Sequence, residues 1–483
     1  MSQADLHAPA GSLYIDGTWL PPRSGLVAEA ENPADGSPLG RVAVSGKDDV
    51  DAAVHAAMRA VPAWAARPWT ERAAALRGIA TRLRGDCGRL ARIDTLDSGN
   101  PIAGSTSDVE VAAAALEHFA GLGGESGGQT VPGDVGSLTF TERTPYGVVG
   151  RITAYNHPLM FVAQGVAAAL VSGNTVVVKP AEPTVLSSLE FAELSAGLLP
   201  AGVLNVVPGP GSVGARLVAH PDVPRIAFTG SVGTGRRILA GAAEHIKRVS
   251  LELGGKNPVL VFPDVPPAAA ADAVMRGMNF TRTNGQSCMS TSRVLVHESI
   301  RAEVVGILAE QMASLRVGPP IDPAMDVGPM AFREHLDRVM GHIRTATDEG
   351  ARLVIGGRRP PGLEVGHYVE PTLFDDVHPS MAIACDEVFG PVVAVLSWSN
   401  EAEAIALAND TPYGLTANVI TQDLGAALRA SRALRAGIVW VNGPSPLPPG
   451  TPFGGVKASG IGREHGMEEL LSYMEEKSVV VRF

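Results

Sequence analysis

One of the three cysteines, Cys288, lies among small and polar residues. The segment Asn284-Gly285-Gln286-Ser287-Cys288 lets the backbone turn tightly and brings its own N–H groups near the thiol. Such a turn can present a thiolate as a nucleophile. A buried packing residue is the more common role of an isolated cysteine, so this segment alone leaves both interpretations open.

A carboxylate upstream of this cysteine has the setting of a general base. Glu252 lies in Leu251-Glu252-Leu253-Gly254-Gly255-Lys256-Asn257-Pro258, at the end of an apolar strand. Partial burial there would raise the pKa of the carboxylate towards neutrality, which suits the activation of water. An ion pair with Lys256 is the alternative interpretation of the same segment.

Two further segments have residues suited to a dinucleotide. Phe228-Thr229-Gly230-Ser231-Val232-Gly233-Thr234-Gly235 runs from a strand into a helix whose free N–H groups can meet a phosphate. Lys179-Pro180-Ala181-Glu182 follows a strand at the edge where parallel sheets bind ligands, and a solvated Lys–Glu pair is the alternative there. Gly209, Gly211 and Gly214 spell G-x-G-x-x-G, but the acidic residue expected about 20 residues later is absent. We therefore interpret them as a turn, with Gly211 near the cofactor.

The elements that must position these residues follow an α/β pattern. From Tyr146 onward, short β-branched runs alternate with Ala- and Leu-rich segments, which predicts a parallel, doubly wound sheet. A second α/β stretch begins near Asn257. Residues 121–146 predict a protruding hairpin, and the tail 477–483 predicts an edge strand, so both need pairing partners. The predicted strands are 148–152, 175–178, 204–207, 225–229, 248–251, 259–262 and 294–296, and the predicted helices include 48–64, 71–93, 160–170, 185–199, 213–219 and 268–279.

Composition narrows the class of protein. A chain of 483 residues with 45% hydrophobic residues can bury a large core in two or three domains. A net charge of -11 without a Lys/Arg-rich run makes nucleic acid and membrane surfaces poor partners, and no metal site is indicated. Three cysteines argue against a disulfide framework, and residues 1–13 lack the features of a targeting segment. We expect a cytoplasmic protein without a transmembrane helix.

Taken together and in this order, these segments resemble the aldehyde dehydrogenase superfamily. Glu387-Val388-Phe389-Gly390-Pro391 and the segment 452–460 match it as well, so that the resemblance covers nearly the whole chain. It implies a non-acylating enzyme that oxidises an aldehyde to its acid and reduces NAD. By the same resemblance Cys288 is the nucleophile, Glu252 the general base and Asn156, in Tyr155-Asn156-His157-Pro158, the side-chain donor to the oxyanion.

The resemblance also implies how the cofactor binds. Lys179 and Glu182 would contact the adenosine ribose, Ser231 the pyrophosphate, and Glu387 with Phe389 the nicotinamide ribose. A carboxylate at Glu182 would repel a 2′-phosphate, so NAD is expected and NADP is less favoured. The full set of expected cofactor-binding residues is Ile152, Tyr155, Lys179, Glu182, Gly211, Gly230, Ser231, Leu253, Glu387 and Phe389.

The segment around Asn156 departs from the commonest family pattern, because Tyr155 replaces a Trp and His157 replaces a Phe. Arg282 falls where semialdehyde dehydrogenases hold a carboxylate, which a bidentate pair would achieve. The alternative is that Arg282 points to solvent and the tunnel is mostly apolar, for aliphatic or aromatic aldehydes. The residues expected to line the substrate tunnel are His157, Gln164, Arg282, Met289, Leu447 and Phe453.

The architecture implied by the resemblance has three parts. They are a Rossmann-like, doubly wound NAD-binding domain (1–126 and 146–255), an α/β catalytic domain (256–456) and a small β oligomerisation element (127–145 and 470–483). A homodimer or homotetramer is expected. Two other functions stay open, a CoA-acylating aldehyde dehydrogenase and a catalytically idle structural protein of the same fold, and the combination of Cys288, Glu252 and Asn156 disfavours both.

Overall fold

The computed structural model describes residues 6–444 and 447–483. The first five residues of the predicted NAD-binding domain, and two residues of the predicted catalytic domain, lie outside these ranges. No helix of the described chain is long and apolar enough to cross a membrane. The strands are β1 (Leu13–Ile15), β2 (Thr18–Leu20), β3 (Val27–Glu31), β4 (Pro38–Ala43), β5 (Thr130–Val131), β6 (Ser137–Pro145), β7 (Val148–Ile152), β8 (Thr175–Lys179), β9 (Leu204–Val206), β10 (Arg225–Gly230), β11 (Arg248–Leu253), β12 (Pro258–Val261), β13 (Arg293–His297), β14 (Arg352–Ile355), β15 (Thr372–Asp375), β16 (Val392–Trp398), β17 (Thr416–Ile420), β18 (Ile438–Val441), β19 (Gly460–Ile461) and β20 (Met474–Arg482).

The helices of the described chain lie between these strands in the sequence. Short 3₁₀ turns cover Gly123–Glu125 and Lys457–Ser459. The α-helices are α1 (Lys47–Ala65), α2 (Trp69–Gly85), α3 (Cys87–Ser98), α4 (Ile102–Leu122), α5 (Pro158–Val171), α6 (Leu186–Ser195), α7 (Gly211–Ala219), α8 (Val232–Ala243), α9 (Pro267–Gly277), α10 (Phe280–Thr283), α11 (Glu298–Ala313), α12 (Arg333–Asp348), α13 (Ala382–Cys385), α14 (Glu401–Asn409), α15 (Leu424–Ala433) and α16 (Met467–Ser472).

The first large sheet is the doubly wound sheet that the alternating sequence pattern predicts. Its order is β19-β11-β10-β7-β8-β9-β1-β2, with parallel central strands and antiparallel edges. Val176 and Val178 of β8 pack into the core on one face, and Val177 packs into the core on the other. Both faces are therefore covered, which explains why the central strands are continuous apolar runs.

The second large sheet, of order β14-β15-β16-β13-β12-β17-β18, is parallel except at β14. Both of its faces are also packed against apolar cores. The end of β11 lies close to the start of β12, since only the segment 254–257 separates them. This link brings the carboxyl edge of the first sheet next to the second sheet.

The tail strand and one long helical stretch differ from the sequence expectations. The tail is not unpaired within the chain, because β20 pairs antiparallel with β6 from Met474↔Pro145 to Arg482↔Ser137. The stretch 71–93 forms two helices, since α2 ends at Gly85 and α3 begins at Cys87. Gly85 and Asp86 are poor helix formers and explain the break.

Candidate active site

Two cavities meet at one thiol and one carboxylate. The larger, the cofactor cleft, measures about 890 Å³ and opens at the carboxyl edge of the first sheet. The smaller, the aldehyde tunnel, measures about 500 Å³ and runs between α4, α5, α10 and the C-terminal segments. Cys288, Glu252 and Phe161 line both. A ligand in each cavity would therefore meet its neighbour at Cys288.

The shape of the loop before Cys288 depends on two residues with positive φ and on one side-chain amide. Asn284 has φ 57° and Gly285 has φ 74°, conformations that Asn and Gly adopt at low cost. A Cβ on Gly285 would lie 2.6 Å from the carbonyl oxygen of Gly390. The Asn284 amide donates to the carbonyls of Gly99 and Pro329 at 2.8 and 2.9 Å. The turn expected from the sequence is thus present and fixed at both ends.

Glu252 lies near the end of β11 and is buried. Among the described residues, neither of its carboxylate oxygens has a partner of good hydrogen-bond geometry. Burial raises the pKa of Glu252 well above its usual value; the charges of Glu464 and Glu387 raise it further, while the nearby Cys288 thiol and Arg151 oppose this rise. The carboxylate is therefore kept free for proton transfer and is not used in an ion pair.

The thiol of Cys288 is surrounded by carboxylates. Burial raises the pKa of the thiol well above its usual value, and the charges of Glu252, Glu387 and Glu464 raise it further. The Cys288 carbonyl accepts from the side-chain amide of Asn257 at 2.7 Å, which fixes the backbone of the residue. These neighbours favour the neutral thiol, so a base is needed to form the nucleophile.

Lys256 does not pair with Glu252. It is buried, its pKa falls to about 8 because of that burial and of Arg293, and its acidic neighbours are Glu387 and Asp386. The ion pair considered for this segment is therefore not formed.

Asn156 lines the cofactor cleft beside Cys288. Its side-chain nitrogen donates to the Gln286 main-chain carbonyl at 2.9 Å, and the main-chain carbonyl of Asn156 accepts from the side-chain amide of Asn100 at 2.8 Å. One side-chain N–H is used in this way, so the second N–H can serve an oxyanion.

The phosphate-binding turn joins β10 to α8. Ser231 is the N-cap of α8, and its hydroxyl accepts from the N–H of Thr234 at 3.3 Å. The helix N-terminus, with Lys179 and Arg237 lining the same cleft, presents donors and positive charge to an anion. This donor set and the volume of the cleft fit a dinucleotide.

All but one of the expected cofactor-binding residues line the cleft. Gly211 begins α7 instead of lying in a turn, and the turn is at Gly209. Glu182 is exposed and is not among the lining residues, although its charge acts on the adjacent Lys179. The expected residues that line the cleft are Ile152, Tyr155, Lys179, Gly211, Gly230, Ser231, Leu253, Glu387 and Phe389.

Glu387 is held at the inner end of the cleft by a glycine pair. It accepts from the Gly255 N–H at 2.9 Å, and a Cβ on Gly254 would lie 1.9 Å from its other carboxylate oxygen. Burial raises the pKa of Glu387 to about 7. Phe389 has φ 57°, and its ring meets that of Tyr155 edge to face at 5.7 Å. The tight glycine contact fixes the position of the Glu387 carboxylate in the cleft.

All six expected tunnel residues line the tunnel. The structure adds a group that the sequence did not reveal, since Asp108 of α4 bridges two of them. Its carboxylate accepts from Arg282 at 2.6 and 3.0 Å, and its other oxygen is 2.5 Å from Nδ1 of His157. Arg282 therefore does not point freely into solvent, because its charge is paired with that of Asp108.

A second ion pair near the tunnel was also missed. Arg151 of β7, fully buried, donates to Glu464 at 3.0 Å, and Glu464 lines the tunnel together with Glu252. Helical spacing gives no signal for Asp108, and Glu464 lies just after the segment 452–460 without a motif of its own. Contacts between distant segments created both roles.

One cluster in the described chain, outside both cavities, has the donors for a metal ion. His55, His220 and Asp222 each place one ligand atom within 4.8 Å of the others. Nδ1 of His220 already accepts from the Asp222 N–H at 3.2 Å. None of the three lines the cofactor cleft or the aldehyde tunnel.

Comparisons with known proteins agree with this arrangement. The sequence profile of the aldehyde dehydrogenase family matches residues 19–479. Aldehyde dehydrogenase tropH of Talaromyces stipitatus is 42% identical over 97% of this chain and 92% of its own length. Hydroxyisobutyraldehyde dehydrogenase of Mycolicibacterium austroafricanum is 41% identical over 97% of this chain and 93% of its own length.

Solved structures show the same fold. Betaine aldehyde dehydrogenase of Staphylococcus aureus, in complex with NAD+, has a TM-score of 0.96 and 34% identity, covering 99% of this chain and 95% of its own. The NADP dependent enzyme of E. coli has a TM-score of 0.95 and 36% identity, covering 98% of each chain.

The doubly wound sheet and the cleft at its carboxyl edge define a dinucleotide-dependent oxidoreductase. The chain belongs to the aldehyde dehydrogenase family. It is an NAD(P)-dependent enzyme that oxidises an aldehyde to the corresponding acid.

Proposed function

We propose that the oxidation proceeds through a thioester on Cys288, with Glu252 as general base and Asn156 as oxyanion donor. The observation that carries this assignment is the meeting of the cofactor cleft and the aldehyde tunnel at Cys288 and Glu252. A substrate entering by the tunnel reaches the thiol from the side opposite to the cofactor.

The first half of the reaction forms the covalent adduct. Glu252, beside Cys288, accepts the thiol proton, and the sulfur attacks the aldehyde carbon. The alkoxide that develops is stabilised by the second Asn156 N–H and by the backbone N–H of Cys288. One such donor is worth roughly 3–4 kcal/mol. Bound NAD supplies the acceptor for the hydride that leaves the adduct.

The second half releases the acid. Glu252 first releases to solvent the proton that it took from the thiol. Water then attacks the thioester carbon while Glu252 removes one of its protons. The C–S bond breaks, and the departing sulfur takes this proton from Glu252, which restores the Cys288 thiol and the free carboxylate. A buried carboxylate without a good hydrogen-bond partner suits both proton transfers, because no other group competes for its lone pairs.

We infer that NAD is preferred over NADP. The negative charge of Glu182, next to Lys179, disfavours a 2′-phosphate near the adenosine ribose. Relatives of both kinds exist, since one similar structure contains NAD+ and another is an NADP dependent enzyme. The preference is therefore a property of this chain's own residues.

We further propose the division into an NAD-binding, a catalytic and an oligomerisation part, and assembly as a homodimer or homotetramer. The three-stranded sheet β20-β6-β5 exposes apolar side chains, among them Val131, Leu138 and Val480, which favours a partner on this sheet. A cytoplasmic location is supported by Cys87, Cys288 and Cys385, all free thiols.

The test is the rate of NADH formation with an aldehyde and NAD. Cys288→Ala should lower the rate by on the order of 10⁴-fold or more, because a lone nucleophile has no substitute. Cys87→Ala, a cysteine that lines neither cavity, is the matched control and should leave the rate unchanged. A fully active Cys288→Ala protein would refute the covalent mechanism, and a rate that requires added CoA would assign the acylating reaction.

A further inference from the structure

Charge at the wall of the aldehyde tunnel is set by a pair of residues from two helices. Asp108 of α4 is 1% exposed, and Arg282 of α10 donates to one of its oxygens through Nε at 3.0 Å and Nη2 at 2.6 Å. Because a guanidinium beside a carboxylate carries no net charge as a pair, the positive charge of Arg282 is already compensated within the wall.

The approach of these two helices depends on a glycine. A Cβ on Gly104 would lie 2.4 Å from the carbonyl oxygen of Arg282, so only glycine lets α4 pack so closely against α10. Asp108 follows Gly104 by four positions and therefore lies on the same face of α4. The backbone contact thus places the carboxylate directly against the Arg282 side chain.

Asp108 is ionised in this setting. Burial alone would raise its pKa, but the hydrogen bonds from His157 and Arg282 and the charge of Arg282 lower it. An ionised carboxylate only accepts hydrogen bonds, so Nδ1 of His157 carries the proton in their 2.5 Å contact. Asp108 therefore orients two side chains that line the tunnel.

Three polar groups of the tunnel wall have no partner within the described chain. They are Nη1 of Arg282, Nε2 of His157 and the side-chain amide of Gln164, none of which makes a hydrogen bond with a described residue. Between them lie apolar side chains such as Phe161 and Met289. An apolar aldehyde would leave these polar groups unpaired, which costs binding energy.

We infer that the tunnel selects uncharged aldehydes that carry a hydrogen-bonding oxygen, and that Asp108 is the positioning residue that sets this preference. A carboxylate-bearing aldehyde finds no uncompensated cation at Arg282, and a cationic aldehyde finds no uncompensated anion at Asp108. An oxygen on an uncharged aldehyde can use the Arg282, His157 and Gln164 groups. This inference rests on the proposed function, because the tunnel is defined by its end at Cys288.

The experiment is a double-mutant cycle on the charge pair. The substrates are benzaldehyde and its 4-hydroxymethyl, 4-carboxy and 4-trimethylammonio derivatives, and kcat/KM is measured from NADH formation. The natural protein should prefer the 4-hydroxymethyl compound to the other three. Asp108→Asn frees the Arg282 charge and should raise the 4-carboxy to 4-hydroxymethyl ratio by on the order of tenfold or more.

The other arms of the cycle make the inference falsifiable. Arg282→Gln leaves the Asp108 charge and should raise the 4-trimethylammonio ratio by a similar factor, so it tests the inference even if Asp108→Asn fails to fold. The double variant should return both ratios towards those of the natural protein.

Two control variants test whether a change in the ratios is specific to the Asp108–Arg282 pair. Asp97→Asn removes a buried carboxylate of α3 that does not line the tunnel. Arg276→Gln removes an exposed arginine of the tunnel mouth that has no such partner in the described chain. Both should alter the charge ratios much less than the pair does, because Asp97 does not line the tunnel and water screens the exposed charge of Arg276.

Ratios that stay unchanged across the cycle would overturn the inference, and so would a natural protein that prefers the 4-carboxy compound. In either case NADH formation would leave the covalent mechanism standing. A natural protein inactive on all four aldehydes would also overturn the inference, whereas an active Cys288→Ala protein would refute the proposed function.

Discussion

The cofactor cleft and the aldehyde tunnel meet at Cys288 but are built in different ways. The cleft is made by short segments at strand ends, such as the Ser231 turn after β10 and Lys179 at the end of β8. The tunnel wall is made by side chains of separate helices, where Asp108 and Arg282 are 174 positions apart in the chain. Parallel strands deliver the first kind of site together, whereas only packing creates the second.

This difference predicts that the two regions respond differently to substitution. Changes in the cleft should affect use of the cofactor with every aldehyde. Changes in the tunnel should affect one aldehyde relative to another. Glu252, which lines both cavities, should affect the turnover of all substrates.

Among the predictions that compare the two regions, the largest effect is expected at Glu252, which lines both. Glu252→Gln keeps the shape but removes the base, so steady-state kcat should fall by about 10²–10⁴-fold. Because burial raises the pKa of Glu252, kcat of the natural protein should increase with pH as the carboxyl group ionises. The variant should lose that increase, and steady-state rates from pH 6 to pH 9 would measure it.

A matched control is Glu464→Gln, which removes a neighbouring carboxylate that raises the pKa of Glu252. Its pH profile should shift to lower pH instead of flattening. If Glu252→Gln kept the full pH dependence, another group would be the base. Glu252 would then not be the catalytic residue shared by the cleft and the tunnel.

A smaller effect is expected from a change confined to the cleft. Gly254→Ala would place a Cβ 1.9 Å from Glu387, so this carboxylate must move away from the position that its bond to Gly255 gives it. KM for NAD should rise by on the order of tenfold, as expected for the loss of a charge-assisted hydrogen bond. Gly306→Ala, with open space around its Cα, is the control.

The ratio of kcat/KM between two aldehydes should stay the same in Gly254→Ala. A change in that ratio would mean that the cleft also selects the aldehyde, and the comparison between the two regions would fail.

The smallest effect is expected at Glu182, an exposed residue. Glu182→Gln should increase the use of NADP relative to NAD by a few-fold, because charges at exposed positions interact weakly. Initial rates with both cofactors, at low and at high salt, would test this. An unchanged ratio would place the selection of NAD at another residue of the cleft.

The sequence by itself was enough to predict the alternating strands and helices, the doubly wound sheet and the chemistry of local segments. Cys288 and Ser231 were found because each lies in a segment whose small residues determine its own backbone shape. The order of these segments also indicated the family, which the comparisons confirmed. Assignment of roles to Asn156 and Glu387 depended on the resemblance.

Only the tertiary structure decided the charge of the tunnel and the pairing of the tail. In the sequence Asp108 is one polar residue among others of a helix. Its role depends on the close packing of α4 against Arg282 that Gly104 permits. Likewise, the sequence does not show that β20 pairs with β6 of the same chain. Residues near each other in sequence share local conformational preferences, but the charge that a side chain presents depends on neighbours that only folding supplies.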